Sequence, residues 1–419
     1  GKIEACSRYT SHMLNVAFAI PFALESSMRF LRAAARLEGV RLGVISQEGP
    51  GRLPEDLRSQ VAAHVVVEDA MDAKKLAAAV TQLGQDLGAK VDRLIGILEP
   101  LQEPMAQARE ALGIRGMDYR EAILFRDKAR MKTALREAGL PCARHATAES
   151  AAEARTAAEK IGYPLVAKPP DGAGAKATIR VENPEQLASY LRSAPPRVGK
   201  PLLLEEFVQG REFSFDSVSL GGRQLLNSIS TYHPTPLQVM ESPWIQWVVH
   251  LPREIDGPEF EAIHEAGPKA LDTLGMVTGI THMEWFRRPD GSIAISEVAA
   301  RPPGAQITTL LSAAYDFDFY AAWSRLLVFE EFEAPERKYS AGAVYLRGQG
   351  EGRVRAVRGF EELQRELGSV MIESKIPAIG TPASSSYEGE GYVLLRHTDS
   401  EIVERGLSLV LKTLRVDLG

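Results

Sequence analysis

Between residues 281 and 304 the chain reads THMEWFRRPDGSIAISEVAARPPG. Two runs of strand-forming residues flank Asp290-Gly291, a dipeptide that favours a tight hairpin. A loop of two residues (290 and 291) or of four (289 to 292) sets one and the same register, in which Glu284 stands opposite Glu297. Like charges facing each other on a sheet repel. A divalent cation removes the repulsion, and carboxylate oxygens are the ligands magnesium prefers, usually shared with substrate phosphates. The alternative is a solvated face on which Arg287, Arg288 or Arg301 neutralises the pair.

Three other segments, and Arg301 within this one, carry groups suited to an anionic substrate. In LVAKPPDGAGAKA (165–177) a strand ends in Lys168, followed by Gly172 and Gly174 in a loop that Lys176 closes. Glycines let bare N–H groups approach an anion and a strand-end lysine adds a point charge; a plain glycine hairpin is the other reading. The spacing is not that of a GxxxxGK[ST] loop. RDKARMKTALREAG (126–139) opens a helix capped by Asp127, with Lys128 in the first turn, where a cation opposes the helix dipole unless an anion sits there. PLLLEEFVQGREFSFDSVSL (201–220) is either an edge hairpin with a charged rim or a connector. As a connector, Glu205, Glu206 and Val208 would offer backbone groups to a base and Glu212 would accept hydrogen bonds from ribose hydroxyls. Arg301 precedes Pro302-Pro303-Gly304 and a helical pattern from Gln306, a setting suited to a carboxylate or oxyanion, with a structural ion pair as the alternative.

The stretch STYHPTPLQVMESPWIQWVVHLP (230–252) is rich in aromatic residues and proline. Trp244 and Trp247 suit a substrate wall, but equally a core or a subunit contact. His233 and His282 are candidate acid/base groups, with a structural role as the alternative.

These residues need elements to hold them. At 419 residues the chain holds two or three packed units. Apolar content of 45% with 25% charged residues describes a globular protein. The net charge of −6 and the lack of a long basic run give no nucleic-acid footprint. Cys6 and Cys142 form neither a disulfide framework nor a zinc site and suit a reducing cytoplasm. The apolar stretch 16–31 is broken by Pro21, Glu25 and Arg29, too soon for a membrane span. From 16 to about 115, strands at 40–46, 64–68 and 92–98 alternate with helical patterns, which predicts a parallel sheet with covering helices. No GxGxxG turn accompanies them, so no dinucleotide is indicated. Helices from 118 to about 190 surround a strand-loop-strand unit at 164–181, longer antiparallel pairs follow to about 330, and short strands with helices at 359–367 and 399–414 complete the chain. The class is α/β and α+β.

The order RDKARMKTALREAGLPCAR, GYPLVAKPPDGAGAKA, LLLEEFVQGREFSFD, HMEWF and SEVAARPPG, over about 116 to 310, resembles the ATP-grasp superfamily. The layout is most similar to the carboxylate–amine ligases related to biotin carboxylase, especially the L-amino-acid ligases that make dipeptides. The resemblance implies an ATP-grasp fold with an N-terminal parallel β/α pre-domain (1–115), an ATP-grasp domain (116–335, lid about 150–205) and a small C-terminal α+β cap (336–419). It implies ATP and Mg2+ or Mn2+ as cofactors, small carboxylate and amine substrates, a cytoplasmic homodimer, and neither nucleic-acid nor membrane partners. By the same resemblance Lys128 and Lys168 contact the phosphates under the 171–177 loop, Glu205 to Val208 hold adenine, Glu212 ribose, Glu284 and Glu297 the metal, and Arg301 the reacting carboxylate. The chain departs at Ala299, where many members place an asparagine ligand. A bicarbonate-activating carboxylase, which would require a separate biotin carrier since no MKM segment occurs, and a non-catalytic ATP-binding protein are the competing readings.

Overall fold

The computed structural model describes residues 13–169, 178–242 and 246–419. Gly172, Gly174, Lys176 and Trp244 lie outside the described residues. The chain forms two compact units, one running up to Ala122 and including Tyr320–Phe332, the other comprising Ile123–Phe319 and Glu333–Gly419.

The first unit is built on four parallel strands, β1 (Leu14–Ala19), β2 (Val40–Ser46), β3 (Ala63–Val66) and β4 (Arg93–Ile95), in the order β3-β2-β1-β4. Val16 to Ala19 are buried without alternation, as strands covered on both faces require. The helix Ala73–Leu87 shows why the crossovers form. Asp72 caps it by accepting from the Lys74 and Lys75 amides, Gly88 ends it at φ 78°, and Leu76, Val80, Leu83 and Leu87 are buried along one stripe. The parallel sheet expected from the alternating pattern is present.

In the second unit, β5 (His145–Ala148), β6 (Leu165–Lys168), β7 (Ile179–Val181) and β8 (Leu202–Glu206) make an antiparallel sheet ordered β5-β8-β6-β7. An eight-stranded sheet follows, formed by β9 (Arg211–Leu220), β10 (Arg223–His233), β11 (Trp247–Leu251), β12 (Gly279–Arg287), β13 (Ile293–Ala299), β14 (Ser340–Leu346), β16 (Met371–Lys375) and β17 (Gly391–His397). Its order is β13-β12-β9-β10-β11-β14-β17-β16. The strands β15 (Val354–Arg358) and β18 (Arg415–Leu418) pair separately. No helix among the described residues is long and apolar enough to cross a membrane.

Two features position the site. First, β8 and β9 belong to different sheets, so Glu206 to Arg211 is a connector and not the turn of an edge hairpin. Second, the helix Lys128–Glu137 buries Lys128, Met131, Lys132 and Leu135, a stripe at helical spacing in which two of the four members are lysines. Asp127 caps it by accepting from the Ala129 and Arg130 amides at 3.0 Å.

Candidate active site

The β12–β13 hairpin brings two carboxylates together by a route the turn sequence does not suggest. Its loop is Pro289-Asp290-Gly291, with the Arg288 amide donating to the Ser292 carbonyl at 2.8 Å and the Gly291 amide to the Arg288 carbonyl at 2.9 Å. Gly291 takes φ 84°, the left-handed position that a three-residue loop needs after its type I turn. The expectation of two or four loop residues is therefore corrected to three. Pairing next to the turn is displaced by one residue, with Phe286 opposite Ala294 and Trp285 opposite Ile295. A β-bulge between Glu284 and Trp285, with Ser296 as its extra residue, restores the register and sets Glu284 opposite Glu297.

Buried lysines answer these acids. Lys128 Nζ lies 2.7 Å from Glu297 Oε2, with Lys128 1% exposed. This counter-ion is a lysine; of the arginines considered above, Arg288 pairs with Glu206 at 3.1 Å and Arg301 adds its charge to the field at Glu297. Burial pushes the Glu297 carboxyl up, but Lys128 and then Lys168 hold it below its ordinary value. Lys168, at the end of β6, donates to Glu205 Oε1. Lys132 Nζ lies 3.1 Å from Glu205 Oε2 and donates to the carbonyl of the bulge residue Ser296. Against the effect of burial, Lys132 and Lys168 bring the Glu205 carboxyl down to about 2. Lys132 escaped the sequence reading although its signal was present: it follows Lys128 by four residues and so shares its helix face.

Strand alternation supplies more acid. On β9, Glu212, Ser214 and Asp216 share one face, opposite Phe286, Glu284 and His282 of β12. Glu212 is buried, and burial followed by the charges of Glu284 and Glu297 pushes its carboxyl well above the ordinary range. His282 Nδ1 meets Asp216 Oδ1 at 2.5 Å, and His282 Nε2 lies 3.7 Å from Glu284 Oε1 and 3.4 Å from the Tyr232 hydroxyl. Burial works against the imidazolium, but Asp216 overrides it and raises the pKa to about 10. His282 is thus a fixed cation behind Glu284 and not a group poised to exchange protons near neutrality. Its partner Asp216 was missed because the polar-apolar alternation Ser214-Phe215-Asp216 is also how a solvated strand looks.

A cleft of about 410 Å³ gathers the expected residues: Lys168, Glu205, Glu206, Val208, Glu212, Glu284 and Glu297 all line it. Ala143, Val208 and Phe286 form an apolar wall beside them. The Glu206 carboxylate turns to Arg144 (3.3 Å) and Arg288 (3.1 Å), and its amide donates to the Arg144 carbonyl at 2.8 Å. Among the described residues that line the cleft, Lys128, Arg301, Trp247, His233 and His282 do not figure. Arg301 donates to the Pro302 carbonyl at 3.1 Å and its charge acts on Glu297. His233 is exposed. Trp247 is 3% exposed and packs on Tyr345, Tyr232 and Tyr387 at centroid distances of 5.0, 5.4 and 5.4 Å. Its surroundings are those of a core residue; of this group, Tyr387 lines the cleft.

A divalent cation fits this donor set. Glu284 and Glu297 face each other and Glu212 is repelled by both, so positive charge between them is favourable. No group of three or more His, Cys, Asp or Glu side chains among the described residues forms a metal cage. An ion here would be shared between two carboxylates and substrate oxygens, the usual arrangement for magnesium. Ala299, buried opposite His282, offers no side-chain oxygen.

Comparison with known proteins follows the same lines. Residues 133–316 match the ATP-grasp domain family. The chain is 24% identical over 229 residues to the L-arginine-specific L-amino acid ligase of Bacillus subtilis, a match covering 53% of this chain and 54% of that protein, so it spans about half the length of this curated relative. The L-amino acid ligase from Bacillus licheniformis superposes with a TM-score of 0.79 at 22% identity, covering 98% of this chain and 100% of that one. The N5-carboxyaminoimidazole ribonucleotide synthetase from Thermotoga maritima gives 0.72 at 16% identity, with 97% and 100% covered. The fold is therefore the ATP-grasp fold, as the sequence resemblance implied.

Proposed function

We propose, from the match of residues 133–316 to the ATP-grasp domain family, that the protein is an ATP- and Mg2+-dependent (or Mn2+-dependent) ligase that activates a carboxylate as an acyl phosphate and joins it to an amine, releasing ADP and phosphate. The observation that carries this reading is the meeting, in one cleft, of strand-end Lys168 with the facing carboxylates Glu284 and Glu297. Similarity to two L-amino acid ligases favours amide formation over bicarbonate activation and suggests amino acids as substrates.

The carboxylate oxygen of the first substrate attacks the γ-phosphorus, and the bond to the bridging oxygen breaks to release ADP. The amine nitrogen of the second substrate then attacks the acyl carbon, phosphate leaves with the electrons of the C–O bond, and the ammonium proton passes to the released phosphate. Such a transfer needs in-line positioning and neutralised charge more than covalent help from the protein. Lys168 and Lys128 supply cations to the phosphates, joined in this proposal by Gly172, Gly174 and Lys176. The wall of Ala143, Val208 and Phe286 packs on adenine, with the Glu205 to Val208 backbone at its edge. Glu212 accepts hydrogen bonds from the ribose hydroxyls. Glu284 and Glu297 hold the metal, which when bound neutralises the phosphate oxygens. Arg301 pairs with the reacting carboxylate, and Trp244 contributes to the substrate wall.

Supporting the lid division is the sheet β5-β8-β6-β7, whose strands all fall between His145 and Glu206. Within this proposal 1–115 is the pre-domain and 336–419 the cap, and the protein is a cytoplasmic homodimer. The test is ADP release from magnesium-ATP with pooled amino acids and small carboxylates, with hydroxylamine to trap acyl phosphate. Substrate-dependent ADP with a hydroxamate is the expected result; ATP binding with no turnover on any pool would favour a non-catalytic role.

A further inference from the structure

Lys132 does not line the cleft, yet its ammonium is wholly buried beside a carboxylate that does. Taking an ammonium out of water costs several kcal/mol even after relaxation, so a buried lysine needs a compensating role. Packing alone would be served as well by a methionine.

The arrangement indicates the role. Glu205 is held on both sides, by Lys168 through Oε1 and by Lys132 at 3.1 Å from Oε2. Lys132 is fixed in turn by the carbonyl that the Ser296 bulge exposes. With Lys168 and Glu205 alone, the pair would be neutral, and the cation of Lys168 would be largely offset at the cleft. A second cation on the far oxygen leaves the group with a net positive charge, carried on the cleft side by Lys168. Despite burial, Glu205 keeps the Lys132 ammonium pKa above its ordinary value, while burial, together with Lys128 and Lys132, draws that of Lys168 below its own.

We propose that Lys132 is a positioning residue for nucleotide binding: it neutralises Glu205 from behind so that the charge of Lys168 remains available to the ATP phosphates. This rests on the nucleotide-binding reading above. Its effect is electrostatic and therefore grows with the number of phosphates on the ligand.

Calorimetric titration with magnesium-ATP, ADP and adenosine tests it in the wild type, Lys132→Met and Lys132→Arg. Lys132→Met weakens ATP by about tenfold, the scale of one lost charge across a partly screened interior, weakens ADP less and leaves adenosine unchanged; Lys132→Arg stays near wild type. If Lys132→Met fails to fold, Lys132→Gln, which keeps a hydrogen-bond donor for the Ser296 carbonyl but not the charge, should show the same weakening of ATP with adenosine unchanged. Equal weakening of all three ligands, or no weakening of ATP in whichever of these variants folds, would overturn the proposal. A wild type that binds none of the three removes the nucleotide reading and this inference with it, whereas normal wild-type binding with an indifferent Lys132→Met removes this inference alone.

Discussion

The eight-stranded sheet differs at its two ends in what it buries. Toward β14 and β17, Val344, Leu346, Val393 and Leu395 pack on Val403, Leu407 and Val410 of the helix Ser400–Thr413. Toward β9, β12 and β13, the buried or half-buried positions of one face include Glu212, Ser214, Asp216, His282, Glu284 and Glu297 beside Phe286 and Ala299. An apolar side chain gains roughly 1.5–3 kcal/mol on burial, whereas a buried ion pair often contributes no more than a hydrophobic replacement would. The first end accounts for stability; the second spends buried positions on charge and is where chemistry is to be sought.

Substitutions at the two ends should therefore separate. Trp247→Ala, within the aromatic cluster of Tyr232, Tyr345 and Tyr387, should lower unfolding free energy by about 3–5 kcal/mol in urea titrations while leaving the ATP affinity of the folded fraction unchanged. A small loss with altered substrate preference would move Trp247 into the cleft and blur the comparison. Glu297→Gln should reduce turnover by about 100-fold or more. It also leaves Lys128 buried against a neutral amide, so adding Lys128→Met should return stability toward wild type without returning activity. Recovery of turnover in that double variant would remove the metal assignment.

Acid offers a subtler probe. The Glu205 carboxyl sits at about 2 in the folded protein against an ordinary 4.5. A lowered folded value adds stability above 4.5, and that stability is lost as pH falls from 4.5 toward 2. Stability measured across this window should fall in the wild type and change less in Glu205→Gln. The smallest effect is expected at the rim. Arg144→Ala removes a partly exposed partner of Glu206 and should change stability by about 0–1 kcal/mol; a larger loss would mean that the rim shares the energetics of the buried cluster.

Much of this was legible in the sequence, for reasons that can be named. The run VRLGVIS coincides with β2, because an apolar stretch buried on both faces has few alternatives. Lys168 and the facing glutamates were found because strand ends and cross-strand pairs follow local rules. Burial of charge was not legible. Lys128 in a first helical turn looks like a solvated lysine, Lys132 like any surface residue four positions on, and Ser214-Phe215-Asp216 like half of a wet hairpin. Only the pairing of β9 with β12 turns that strand inward. Conversely, Trp247 looked like a substrate contact because aromatic residues serve cores and pockets alike.

The bulge at Ser296 has a consequence for how this hairpin can change over time. Without it the pairing next to the turn would continue, Glu297 would stand opposite Met283, and its carboxylate would point to the other side of the sheet. The three-residue turn and the bulge are thus one unit: flattening the bulge while Ser296 is kept carries Glu297 to the other face, whereas deleting Ser296 would leave a regular ladder with Glu297 still opposite Glu284. What Ser296 adds is the carbonyl that receives Lys132, so the residue that looks dispensable to the ladder is the one that ties the hairpin to the helix Lys128–Glu137.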